Sequence, residues 1–181
     1  MNTLVLFGSP HQDGATKALA DAFIDALPQG DTVTWVDSFA LAAQPCRDCG
    51  GCREIRGCVQ PDLDAFYPLL EETDRLVIAT PIYNRSFSAP LKTLIDRLQP
   101  YWSARFVRGE RPPIERPKTA FLLTACESDP SEDGAIVEQQ LRPALTVLNA
   151  AFVGAVHAVG CRNGHCPPAF LKQAQDLAAK A

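Results

Sequence analysis

The chain has 181 residues, 46% of them hydrophobic and 21% charged, and a formal net charge of -4 at pH 7. That length suits one domain spanning 1–181, able to bury roughly 70% of its unfolded-chain surface, and the composition excludes disordered, collagen-like and coiled-coil chains. The acidic balance argues against nucleic acid as a partner, no apolar run approaches the ~20 residues of a membrane span, and no export signal opens the chain. A cytoplasmic protein that binds neither nucleic acid nor membrane is therefore expected. Thiols stay reduced in that compartment, so the seven cysteines call for a reading other than a disulfide framework.

Thr3 to Phe7 is a short apolar run closed by Gly8, and Thr16 to Leu27 carries apolar residues at helical spacing before Pro28. Thr32 to Val36 reads as a second strand. From about Ser38 to Pro61 there is no clear period, and four cysteines fall there. A helix resumes near Leu63, and Arg75 to Thr80 is a third strand. Pro90 suits the first turn of a helix whose Leu91, Leu94, Ile95 and Leu98 share one face. Ser103 to Lys118, with Arg105, Arg108, Arg111 and Arg116, is too long for an ordinary connection. It reads as a solvated loop or, alternatively, as a lid, a dimer arm or a contact for dinucleotide phosphate. Lys118 to Thr124 is a fourth strand, Ala135 to Asn149 a helix interrupted by Pro143, Phe152 to Val159 a fifth strand, and Pro167 and Pro168 open a last helix. Strand and helix alternate throughout, the rhythm of an α/β three-layer sandwich with a parallel sheet. With strand order 2-1-3-4-5, the ligand crevice lies at the strand C-termini between strands one and three.

Two loops feed that crevice. The first, Gly8-Ser9-Pro10-His11-Gln12-Asp13-Gly14-Ala15-Thr16-Lys17, is neither a Walker A loop nor a Gly-x-Gly-x-x-Gly turn. It offers two hydroxyls, an imidazole and backbone N–H groups at a helix start, a phosphate cradle built on hydrogen bonds and the helix dipole. A plain helix-capping turn would choose the same residue types. The second, Thr80-Pro81-Ile82-Tyr83-Asn84-Arg85-Ser86, leads into Leu91-Lys92 and Asp96-Arg97. An aromatic, an amide and backbone groups there suit a planar heterocycle.

Together the two loops resemble the flavodoxin-like NAD(P)H-dependent FMN reductases, from about Leu4 to Leu98. The resemblance implies that Ser9, His11, Gly14, Ala15 and Thr16 hold the FMN phosphate, and that Pro81, Ile82, Tyr83, Asn84 and Ser86 lie along the isoalloxazine. Thr124 and Cys126 would join from the loop after strand four. Residue 11 is often arginine in the family, and the run Thr124 to Asp129 stands where relatives often carry glycines. Glu127 and Asp129 near the ring would lower its potential by like-charge repulsion. The family implies an enzyme passing electrons from NAD(P)H to a flavin, a quinone or a similar acceptor, small molecule or protein, in a homodimer or homotetramer. The cofactor carries the hydride, so no side chain is named as catalytic. No hydrolase triad, nucleophile elbow or metalloprotease motif is present.

The insertion at about 45–59 holds Cys46-x-x-Cys49-x-x-Cys52 and, five intervening residues later, Cys58. Two-residue gaps let neighbouring sulfurs reach adjacent irons of a [4Fe-4S] cube, while Gly50, Gly51 and Gly57 allow a tight fold. The pattern resembles the iron–sulfur flavoprotein branch of the same family, although the run after Cys58 is Val59-Gln60-Pro61-Asp62 rather than a paired aspartate. Free thiols or zinc would suit the same four residues. With a cluster, the chain would be an electron carrier between protein partners. Cys161 and Cys166 bracket Arg162-Asn163-Gly164-His165, which reads as a loop or, alternatively, as a metal site, and His157 falls in a strand pattern and reads as structural.

Overall fold

The computed structural model describes residues 1–128 and 132–181. Five parallel strands, β1 (Asn2–Phe7), β2 (Thr32–Asp37), β3 (Arg75–Pro81), β4 (Lys118–Ala125) and β5 (Ala150–Ala158), form a sheet in the order β2-β1-β3-β4-β5. The expected order therefore holds. Phe7 lies opposite Asp37 on one side and Ala79 on the other, and Thr80 opposite Thr124, so the strands end together at one edge.

Side chains alternate across the sheet, and both faces are covered. Leu4, Leu6, Leu76, Ile78, Ala120 and Leu122 pack with α4 (Phe66–Glu72), α5 (Ala89–Asp96), α6 (Gln99–Phe106) and α7 (Asp133–Val147). Val5, Phe7, Val77, Ala79, Phe121 and Leu123 pack with α1 (Ala15–Asp25) and α8 (Pro168–Ala178). Burial on both faces explains why these strands read as unbroken apolar runs.

Three local features depart from the sequence reading. Helix α6 occupies the start of the arginine-rich stretch, and the rest of that stretch is packed down. Arg108 donates to the carbonyls of Cys52 and Ile55 and pairs with Glu110 at 2.7 Å, Ile114 is buried, and Arg116 pairs with Asp74 at 3.0 Å. Helix α7 continues through Pro143, which is exposed, as is Gln139, whose carbonyl it leaves unbonded within the helix; that carbonyl can turn to water. The aperiodic stretch contains two short helices, α2 (Ser38–Leu41) and α3 (Gly51–Glu54), and a 3-10 turn at Pro61–Leu63. Among the described residues, no helix is long and apolar enough to cross a membrane.

Candidate functional site

A cavity of about 680 Å³ opens at the C-terminal edge of the sheet, walled by the loops after β1, β3, β4 and β5. That volume lies in the range of small-molecule sites. Ser9, His11, Gly14, Ala15, Thr16, Pro81, Ile82, Tyr83 and Cys126 all line it. Asn84, Ser86 and Thr124 stand outside its wall.

The first loop supplies the polar end. Ser9 and Thr16 are only 3% and 4% exposed, so their hydroxyls are enclosed in the wall. The Ser9 hydroxyl accepts from the His11 backbone N–H at 3.2 Å, which fixes the turn. Helix α1 begins after Gly14 with no side-chain cap, so its first N–H groups remain open to an anion. Enclosed hydroxyls beside an uncapped helix start fit a phosphate monoester such as that of FMN.

The second loop is a tight hairpin. Tyr83 and Ser86 exchange backbone hydrogen bonds of 3.0 Å, with Asn84 and Arg85 at φ 49° and 62° between them. Two consecutive non-glycine residues at positive φ cost energy, and helix α7 holds them there. Arg85 pairs with Asp133 at 2.6 Å, and Gln140 accepts from the Ser86 hydroxyl at 2.8 Å while donating to the Arg85 carbonyl at 3.0 Å. Asn84 and Ser86 thus shape the loop and leave Pro81, Ile82 and a 46% exposed Tyr83 to face the cavity.

Thr124 is fully buried behind the wall, 2.8 Å from Nδ1 of His157. Burial holds the His157 pKa below its ordinary value, and a Cβ on Gly134 would come within 2.4 Å of its ring. His157 therefore has a structural partner, and only glycine lets α7 start so close to it.

Asp13, Ala125, Glu127, Ser128, Cys161, Asn163 and Gly164 also line the cavity. Glu127 sits beside Arg162 at 3.6 Å, while Asp129 lies outside the described residues. Arg162 and His165 bridge across Asn163 and Gly164, whose φ values of 51° and 79° define the turn. Asn-Gly is the strongest short hairpin signal, so the sequence does carry a cue for this turn, one that a plain loop reading passes over. Burial raises the Cys161 thiol pKa and pushes that of Cys166 up to about 12.

The four clustered cysteines line a second, separate cavity of about 30 Å³, together with Arg97 and Ser103. A Cβ on Gly51 would meet Val59 at 2.6 Å, so glycine permits the loop to double back on itself. Cys46 and Cys49 are exposed, and Cys52 and Cys58 half-buried. The Cys52 sulfur lies 3.3 Å from the Ser103 hydroxyl. Among the described residues, no three His, Cys, Asp or Glu converge as one metal ion would require.

The fold and the larger cavity define a flavodoxin-like α/β protein with its crevice at the switch point of the sheet. The sequence matches the NADPH-dependent FMN reductase family over residues 1–164, and the chain belongs to that family. It is 32% identical over 112 residues to an iron-sulfur flavoprotein of Archaeoglobus fulgidus, covering 61% of this chain and 51% of that one. It is 39% identical over 92 residues to an iron-sulfur flavoprotein of Methanosarcina thermophila, covering 50% and 48%. The matched segment thus spans about half the length of these curated relatives. Among solved structures, the fold resembles an NAD(P)H:quinone oxidoreductase from Methanothermobacter marburgensis, with TM-score 0.76 and 19% identity over 98% of this chain and 94% of that one. An azoreductase from Bacillus anthracis gives 0.71 and 19% over the whole of both chains.

Proposed function

We propose that the chain is an FMN-dependent oxidoreductase that passes electrons from NAD(P)H to a flavin, a quinone or a similar acceptor. The observation that carries this reading is the shared cavity, in which enclosed Ser9 and Thr16 hydroxyls at the open start of α1 face Pro81, Ile82 and Tyr83. Ser9, His11, Gly14, Ala15 and Thr16 would bind the phosphate, and Pro81, Ile82, Tyr83 and Cys126 would border the ring. Asn84, Ser86 and Thr124 would act from behind, by holding the hairpin and the end of β4. Bound FMN would supply hydride acceptance and onward electron transfer; the side chains orient it and limit water. Glu127 would lower the potential of the ring, an effect partly offset by Arg162 beside it.

The test is a fluorescence titration of the purified chain with FMN, then NADH and NADPH oxidation with a soluble quinone. Stoichiometric binding and flavin-dependent turnover are expected. A chain that binds no FMN, or whose turnover is indifferent to it, overturns the reading.

A second reading adds a [4Fe-4S] cluster and electron transfer to a protein partner. It is favoured by the one cavity that all four clustered cysteines line, and by similarity to the iron-sulfur flavoproteins. Cys46, Cys49, Cys52 and Cys58 would be the ligands, each meeting a different iron, which asks less convergence of the sulfurs than one tetrahedral zinc at ~2.3 Å from each. Iron and sulfide analysis of anaerobically purified protein tests it, and stoichiometric zinc in place of iron overturns it. We further infer a homodimer or homotetramer, supported by exposed Trp102, Phe106 and Val107 toward the end of α6, and a cytoplasmic location, supported by the sequence alone. Sedimentation as a monomer with FMN bound would remove that inference.

A further inference from the structure

We infer that Arg97 and Asp62 form a charge couple that tunes the Cys58 sulfur, beyond bracing the loop that carries it; this rests on the cluster reading above. Arg97 is 1% exposed, although it belongs to a helix end beside a surface loop. Its guanidinium donates to both carboxylate oxygens of Asp62, at 2.8 and 3.0 Å, and to the carbonyls of Gln44 at 2.6 Å and Gln60 at 3.2 Å. Those four bonds suffice to tie the two ends of the cysteine loop to α5.

A fifth contact goes to a sulfur. Nη2 of Arg97 reaches the Cys58 sulfur at 3.6 Å, and the Gln60 backbone N–H reaches the same atom at 3.5 Å. Cys58 thus takes two N–H donors, one of them cationic, whereas Cys52 has a neutral hydroxyl at 3.3 Å. Hydrogen bonds and positive charge at a ligand sulfur stabilise the electron-rich state of the group that it binds, which makes that group easier to reduce. Asp62 moderates the effect, because its carboxylate pairs with the same guanidinium, one oxygen on the same Nη2 that reaches the sulfur. The run after Cys58, with its single aspartate at 62, thereby gains a role.

The couple has a signature that a brace lacks: its two halves act on the potential with opposite signs. Replacing Arg97 removes the cation and leaves the Asp62 charge uncompensated, while replacing Asp62 frees the cation. The full chain is reconstituted anaerobically with iron and sulfide, and a redox titration of the iron-dependent absorbance is run on wild type, Arg97→Gln and Asp62→Asn. The urea midpoint of each is measured in parallel. The one-electron reduction equilibrium is expected to fall about tenfold in Arg97→Gln, which is about 59 mV. It is expected to rise about threefold in Asp62→Asn. Equal iron content with unmoved potentials, or with both moved the same way, makes the pair a brace only and overturns the inference. Wild type that takes up no iron overturns the cluster reading, and the inference with it. If Arg97→Gln does not fold, Asp62→Asn decides alone, since a brace predicts no rise.

Discussion

The two cavities are built on opposite principles. The larger one, about 680 Å³, is framed by strand ends and uses enclosed hydroxyls and an open helix start, with few charges in its wall. The smaller, about 30 Å³, lies in a loop held by an ion pair from buried Arg97 to the partly exposed Asp62 and by backbone carbonyls. A framework that the sheet already holds rigid can bind an anion with neutral groups, because the donors are fixed before the ligand arrives. A loop without such a framework needs charge to fix its shape.

Substitutions that affect one cavity and spare the other would sharpen this contrast. The largest effect is expected among the thiols: iodoacetamide at pH 8 should modify exposed Cys46 and Cys49 on the order of a thousandfold faster than buried Cys166, whose thiol stays protonated. Peptide mass spectrometry over time checks this, and equal rates would break the contrast. Next, Ser9→Ala with Thr16→Val should weaken FMN about a hundredfold, two charge-assisted hydrogen bonds at about 1.5 kcal/mol each. Stability in urea should fall by about 1 kcal/mol at most, the loss of the bond that the Ser9 hydroxyl accepts from the His11 N–H.

Arg97→Ala should do the reverse. It should cost about 2 kcal/mol in urea unfolding, discounted because Asp62 keeps some solvent contact, and leave FMN affinity within about twofold. The pair also sets an acid response. Arg97 holds the Asp62 carboxyl below the usual carboxylate range, so its stabilisation is present above about pH 3.9 and lost as pH falls through the lower folded value. Asp62→Asn should flatten that part of the stability profile. The smallest effect is at His157, whose pKa burial holds below its ordinary value in the folded chain. Below about pH 6.5 the unfolded chain takes up a proton more readily than the folded one, so stability declines as pH falls, by less than about 1 kcal/mol. His157→Gln should remove that slope in denaturant curves between pH 5 and 7.

The parallel sheet and its crevice were legible because doubly buried strands leave apolar runs and because Ser9 to Thr16 and Pro81 to Tyr83 sit directly after two of them. Helix α6 was not, since Pro100 and Ser103 are buried beside Tyr101 and Ala104 and mask the apolar period. Arg97 looked like one letter of a helix motif; its partners at 44, 58, 60 and 62 lie 35 to 53 positions away and carry no local signal. The Asn163-Gly164 segment read only as a loop, and its place in the cavity follows from the end of β5 lying beside β4, which is tertiary information. Asn84 and Ser86 were placed along the ring by the resemblance of their loop; that the reversal at positive φ gives Ser86 a partner in Gln140 of α7 is tertiary information.

The cavity wall also joins distant parts of the chain. A side chain at Gly164 would meet the Cα of Gly14 at 3.8 Å, so the start of α1 and the turn before α8 close on each other across 150 positions of sequence. Whatever occupies the cradle then touches four of the five strand ends at once and has no complete site until the last of them is in place. Occupancy becomes a vote for the whole fold: ligand at a hundred times its Kd would add about 2.7 kcal/mol to global stability. Melting temperature against ligand concentration would therefore count finished molecules as much as it measures affinity.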